Sequence, residues 1–166
     1  MPRNDTPIAS AVQREIQQRR PFPSLGAEAL IGLLRTAGLV QRQINAIVAR
    51  EGITQQQYNV LRILRGAGEE GIPTLAIRDR MLDPSPGVTR LLDRLESTGY
   101  ARRQRAEPDR RQVMCHITPA GLELLARLDE PIRAYDDAVV EMLSTEQKRD
   151  LIRMLDEIRK RDSAGR

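Results

Sequence analysis

The sequence predicts a mainly α-helical fold with one small β-hairpin, and three observations carry that expectation. Apolar residues recur at i, i+3, i+4 and i+7 along most of the chain, the spacing of helices that bury one face. Between residues 101 and 117 that period gives way to strand-like alternation on both sides of a turn-rich break. Capping residues, glycines and prolines punctuate the boundaries, so the elements can be taken in order.

Ile8, Val12 and Ile16 mark a short helix that ends before Pro21-Phe22-Pro23. A helix this short and polar is marginal alone, so residues 1–23 are expected to form an N-terminal arm packed on a second subunit. From Leu25 to about Arg50, Leu30, Leu33, Leu34, Ile44, Ile47 and Val48 outline a long helix. Thr54 and Gln57 form a capping-box pair that opens the next one, with Tyr58, Leu61, Ile63 and Leu64 facing inward and Gly66 and Gly68 closing it. A third, short helix is expected from Thr74 to about Met81.

In the run SPGVTRLLDRLESTGY, Ser85 suits the N-cap, Pro86 the first helical position, and Gly99 a left-handed C-terminal cap. Val88, Leu91, Leu92 and Leu95 form its inner stripe, which leaves Thr89, Arg90, Asp93, Arg94 and Ser97 on other faces. The hairpin follows at once. Ala101 to Arg105 leads into the break at Glu107-Pro108-Asp109, and Val113, Cys115 and Ile117 then alternate with Met114 and His116. Thr118-Pro119 starts another helix carrying Leu122, Leu125 and Leu128, which Pro131 is expected to kink or break. Val139, Val140 and Leu143 continue its apolar surface. Ser144 and Gln147 form a second capping box, and Leu151, Leu155 and Ile158 line the last helix.

A capped amphipathic helix joined to an arginine-rich hairpin is a two-pronged device for duplex DNA. A recognition helix reads base edges with its first turn, here Gly87, Thr89 and Arg90, of which Arg90 is the candidate base reader. Ser85, Arg94, Arg103 and Arg105 are further candidate DNA contacts, and Arg110 and Arg111 at the hairpin tip have the reach for a minor groove or for phosphates. Asp109 is placed to hold one of these tip arginines. Any one of them alone would fit a solvated surface; their combination with the helix favours DNA.

Composition agrees. The net charge is only +4 with a pI near 9.8, so the basic character must be concentrated, as it is between Arg102 and Arg111. With no Trp and one Phe, the chain lacks the aromatic platforms of single-strand binders. No apolar run has membrane-spanning length and the first residues lack a secretory apolar core, so a cytoplasmic protein is expected. The single cysteine excludes an intramolecular disulfide framework. Cys115 and His116 adjoin on a strand and point to opposite faces, so they form no catalytic dyad and no enzyme is expected. No metal site or cofactor is expected either, because carboxylates such as Asp136, Asp137 and Glu141 lack a convergent imidazole.

The chain resembles the winged helix-turn-helix regulators of the MarR (multiple antibiotic resistance regulator) family in VTRLLDRLE at 88–96, Gly99, DRR at 109–111 and ITPAG at 117–121. TQQQYNVLRIL at 54–64 is similar to the helix that opens the family's DNA-binding domain, and the double-proline run Met81 to Pro86 departs from its usual short turn. The resemblance implies a winged helix-turn-helix domain at 54–117, a helical dimerisation region at 24–53 and 118–162, and a homodimer on a pseudo-palindromic double-stranded operator. It also implies a repressor relieved by a small-molecule effector; Arg35, Arg42 and Tyr58 are conceivable pocket residues, but their types fit ordinary surface or packing positions better, and no motif identifies the ligand or its site. Two alternatives stay open at this point: a structural dimer whose basic hairpin binds acidic proteins, and a thiol-based redox sensor using Cys115.

Overall fold

The structure is a computed structural model that describes residues 10–82, 87–105 and 113–163, without the side chains of 161–163. The elements in order are α1 (Ala11–Glu15), α2 (Leu25–Ala49), α3 (Gln55–Ala67), β1 (Ile72–Pro73), α4 (Thr74–Arg80), α5 (Val88–Ser97), β2 (Ala101–Arg105), β3 (Val113–Ile117), α6 (Pro119–Val139) and α7 (Thr145–Ser163). The chain divides into two units, Met1–Ala46 and Ile47–Arg166.

In the first unit, the Ser10 hydroxyl caps α1 by accepting from the Gln13 amide at 3.3 Å. Nothing in α1 is buried, and Ile8 lies outside the described residues. Arg35 of α2 pairs with Glu15 at 3.4 Å. The long helix is only partly covered: Leu25, Leu30, Leu34 and Leu39 all stand exposed.

The second unit holds the core. Thr54 and Gln57 make both bonds of the capping box, at 2.9 and 3.2 Å, and fix where α3 begins. From α3, Tyr58, Val60, Leu61 and Leu64 turn inward to meet Ile77 of α4, Val88, Leu92 and Leu95 of α5, and Leu124, Leu125, Leu128 and Ile132 of α6. The strands form one antiparallel sheet in the order β1-β3-β2, with Arg103 opposite Cys115 and Arg105 opposite Val113. The hairpin expected from alternation is β2 and β3. Strand β1 was not expected, because two residues are too few to show a period and Pro73 reads simply as the residue before α4.

Three expectations need correction. Helix α5 begins at Val88 with Gly87 in the cap position at φ +145°, a value glycine tolerates and other residues rarely do, so no side chain caps it. Ser85 and Pro86 lie outside the described residues. Pro131 does not break α6, which runs on to Val139 with Ile132 buried directly after it. A proline deletes one donor from the ladder, and the packing of Leu124, Leu125, Leu128 and Ile132 outweighs that single loss. Finally, the alternation of Val113, Cys115 and Ile117 with Met114 and His116 implies one buried face for β3, whereas only Cys115 is fully buried and its neighbours on both faces are half-covered.

Candidate nucleic-acid interface

The helix expected to read DNA is α5, and its local chemistry fixes both its limits and its orientation. At the C-terminal end Gly99 takes φ +77°, the Tyr100 amide donates to the Leu95 carbonyl at 2.8 Å, and the Gly99 amide donates to that of Glu96 at 3.0 Å. These two bonds make a Schellman cap, as the position of Gly99 suggested. With Val88, Leu92 and Leu95 buried, the helix cannot rotate about its axis without exposing them. Thr89 and Arg90 in its first turn, and Asp93, Arg94 and Ser97 further along, are therefore exposed. Neither Arg90 nor Arg94 forms a side-chain ion pair among the described residues.

Arg103 ties the hairpin to this helix. Arg103 of β2 donates from Nε and Nη2 to Glu96 Oε2 at 2.9 and 2.6 Å, and its Nη2 also meets Asp93 Oδ1 at 2.6 Å. The other Glu96 oxygen accepts from the Arg103 backbone amide at 3.0 Å. The Arg103 side chain retains 28% exposure, less than a solvated arginine would. Its hydrogen bonds pull the Glu96 carboxyl below the usual carboxylate range, and the same contacts hold the Arg103 guanidinium charge more firmly.

The candidate contacts thus divide by geometry. Thr89, Arg90 and Arg94 share the exposed side of α5, Gly87 is half-buried at its start, and Arg105 is exposed at the far end of β2. Arg103 is occupied within the protein. Ser85, Asp109, Arg110 and Arg111 lie outside the described residues. Two features went unnoticed in the sequence. The Glu96–Arg103 pairing joins residues seven apart across a helix cap and a turn, a spacing that no periodic rule highlights. Arg80, in the last turn of α4, is exposed on the helix that precedes α5.

Cys115 is fully buried with its Sγ 3.4 Å from the Thr74 hydroxyl, and burial raises the thiol pKa. A buried, protonated thiol is a poor redox sensor. Among the described residues no cluster of His, Cys, Asp and Glu has the arrangement to hold a metal ion, and no helix is long and apolar enough to cross a membrane.

Comparison with known proteins places this geometry. Residues 51–112 match the family model described as "MarR family". The chain is 31% identical to the HTH-type transcriptional regulator FarR of Neisseria gonorrhoeae over 144 residues, 87% of this chain and 97% of that protein. The crystal structure of a MarR transcription factor from Planctomyces limnophilus is 38% identical with a TM-score of 0.63, covering 82% of this chain and 98% of that one. That of NadR in complex with 4-hydroxyphenylacetate is 28% identical with a TM-score of 0.65, covering 84% and 97%.

Proposed function

The chain belongs to the MarR family of helix-turn-helix transcription regulators, and from that premise we propose that it acts as a homodimer on a pseudo-palindromic double-stranded operator, as a repressor relieved by a small-molecule effector. The observation that carries this reading is the first turn of α5, where Thr89 and Arg90 stand exposed above a stripe that fixes the helix orientation. Arg90 reads a base edge. Arg94 and Arg105, with Arg110 and Arg111 at the tip, neutralise phosphates, and Asp109 positions a tip arginine. Ser85, Gly87 and Thr89 border the bases at the helix start.

Domain roles follow. Residues 54–117 form the DNA-binding domain, 24–53 and 118–162 the dimerisation region, and 1–23 an arm that packs on the partner. Exposed leucines on α2, and the exposed Ile152, Met154 and Ile158 on α7, support an apolar interface between subunits. Two subunits then present their recognition helices to successive major grooves about 34 Å apart. The NadR complex supports an effector, and Tyr58, one of the residues the sequence suggested, lines a cleft with Arg62, Asp129, Arg133 and Asp136. An effector shifts DNA affinity only through differential binding to the competent and incompetent dimers.

The test is selection of genomic fragments by purified protein, followed by titration of the enriched duplex across salt. An inverted repeat is expected. Arg90→Ala should relax base preference at one position at a cost of about 1–3 kcal/mol, whereas Arg94→Ala should reduce the magnitude of the salt slope by about one. Recovery of random fragments, or two substitutions without effect, overturns the reading.

A further inference from the structure

The chain enters α5 through a run with two prolines, and the side chain that holds this entry belongs to another helix. Asp83 to Pro86 fall outside the described residues, but Pro84 and Pro86 carry no amide proton, so the connection from α4 to α5 has two fewer donors with which to close on itself. An acceptor from outside meets it instead. The side-chain carbonyl of Asn59 in α3 accepts from the Leu82 amide at 3.0 Å, from 23 residues away in sequence.

The surroundings make this bond an anchor. Helix α4 ends at Arg80, after which Met81 turns to ψ +140° and is buried, its amide donating to the Arg78 carbonyl at 3.2 Å. The next side chain gives no hold, since Leu82 is 79% exposed; its backbone does. Asn59 follows the Thr54–Gln57 capping box and stands between the buried Tyr58 and Val60, on the helix against which both α4 and α5 pack. The position of Leu82 is thereby referred to the same element that carries α5. At its C-terminal end α5 is held by the Gly99 cap and by Arg103 on Glu96, whereas no side chain caps its start. The buried stripe fixes rotation, but a stripe repeats along the axis and resists sliding less.

We propose that Asn59 is a positioning residue for DNA recognition: by holding Leu82 it sets where α5 begins, and so where Thr89 and Arg90 stand against a base pair, without itself touching DNA. A displacement of about 1 Å takes a base contact out of hydrogen-bond range, while long arginines still reach phosphates. Loss of the anchor therefore falls on specific binding and spares non-specific binding. That consequence rests on the function proposed above; the hold on the start of α5 does not.

Two measurements on the full chain test this. Leu82 is exposed, so in Asn59→Ala water can take its amide and the fold is retained. In that variant amide hydrogen exchange at Leu82 should quicken at least about threefold, within what one neutral hydrogen bond provides. Leu91, whose amide donates to the Gly87 carbonyl in the first turn of α5, should quicken with it, while Gly99 and Tyr100 at the other end keep wild-type rates. General loss of stability would speed both ends together. In the second measurement, the ratio of affinity for the selected inverted repeat to affinity for a random duplex should fall at least about threefold, with the salt slope unchanged. Asn59→Asp keeps an acceptor in the same place and should hold the exchange rates and the affinity ratio within about twofold of wild type, because its added charge weakens both duplexes alike. Wild-type exchange at Leu82 and Leu91 in Asn59→Ala, equal acceleration at Gly99 and Tyr100, an unchanged affinity ratio, or no rescue by Asn59→Asp overturns the proposal. If no duplex is selected at all, the DNA-binding reading fails and the recognition role falls with it, while exchange at Leu91 still decides whether Asn59 holds the start of α5.

Discussion

Arg103 shows how one side chain decides whether a helix and a hairpin act together. Its guanidinium is held by Glu96 and Asp93 through Nε and Nη2, so Arg103→Gln should lower DNA affinity chiefly by loosening the hairpin, with little change in the salt slope. Stability should fall by about 1 kcal/mol at most, because both carboxylates remain partly in water. Equilibrium unfolding and salt-dependent titration of the same variant check both halves; a reduced slope would return Arg103 to the DNA contacts. Glu96 extends the prediction to pH. Its folded pKa is depressed, so it stabilises the native state above the ordinary carboxylate range and loses that contribution as pH falls through the folded value. The stability gap between wild type and Glu96→Gln should therefore be present at pH 7 and narrow in acid. A gap that widened in acid would contradict the brace. In the sequence both residues were visible only as charges, since pairing across a cap and a turn depends on the path of the backbone between them.

Among the elements, legibility followed the length of the pattern. The stripe Val88, Leu92, Leu95 and the αL cap at Gly99 identified α5 because both signals are local and repeat within ten residues. Its start was misjudged by Ser85, since a capping residue two or three positions upstream looks as good in sequence as the glycine that takes the role. Strand β1 was hidden by its brevity. The junction of α5, β2 and α6 was legible only as the resemblance ITPAG, and the structure supplies its physics. The Thr118 hydroxyl donates to the Gly99 carbonyl at 2.6 Å and accepts from the Gly121 amide at 3.1 Å, while a Cβ on Gly121 would overlap the Tyr100 carbonyl oxygen. In an open helix Gly→Ala gains about 1 kcal/mol in propensity. Here the obstacle is backbone, so overpacking of about 3 kcal/mol wins. Gly121→Ala should be destabilised by about 2 kcal/mol net, which for a chain of this size lowers the melting temperature by roughly 4–8 °C. Calorimetry that found the variant more stable would mean the junction relaxes freely.

For the molecule as a whole, the apolar surface left over is what argues for a second copy. The core of the second unit is closed around Leu61, Leu64, Leu92 and Leu125, yet Leu34 on α2 is 60% exposed and Ile152 on α7 is 58% exposed, with Leu30, Met154 and Ile158 exposed along the same helices. Scattered apolar residues are ordinary on a surface, whereas rows of them on terminal helices are stable in water only when another surface covers them. Sequence patterning found Leu30, Leu34 and Ile158 but not Ile152 or Met154, and its assignment of the terminal helices to a dimer interface did not come from periodicity, which records that a face is apolar and not what covers it. If the covering surface is the partner subunit, placing a charge in each row should disrupt it. Leu34→Glu combined with Ile152→Glu should shift the protein from dimer to monomer in sedimentation while the second unit keeps its helical signal. The same variant should lose most of its affinity for an inverted repeat, since each half-site would then be held alone and the linked contribution of the second recognition helix would vanish. A half-site duplex should be bound about equally by both forms. Wild-type protein that sediments as a monomer at micromolar concentration, or a charged double variant that stays dimeric, would assign these rows to another partner and remove the link between subunit geometry and operator spacing.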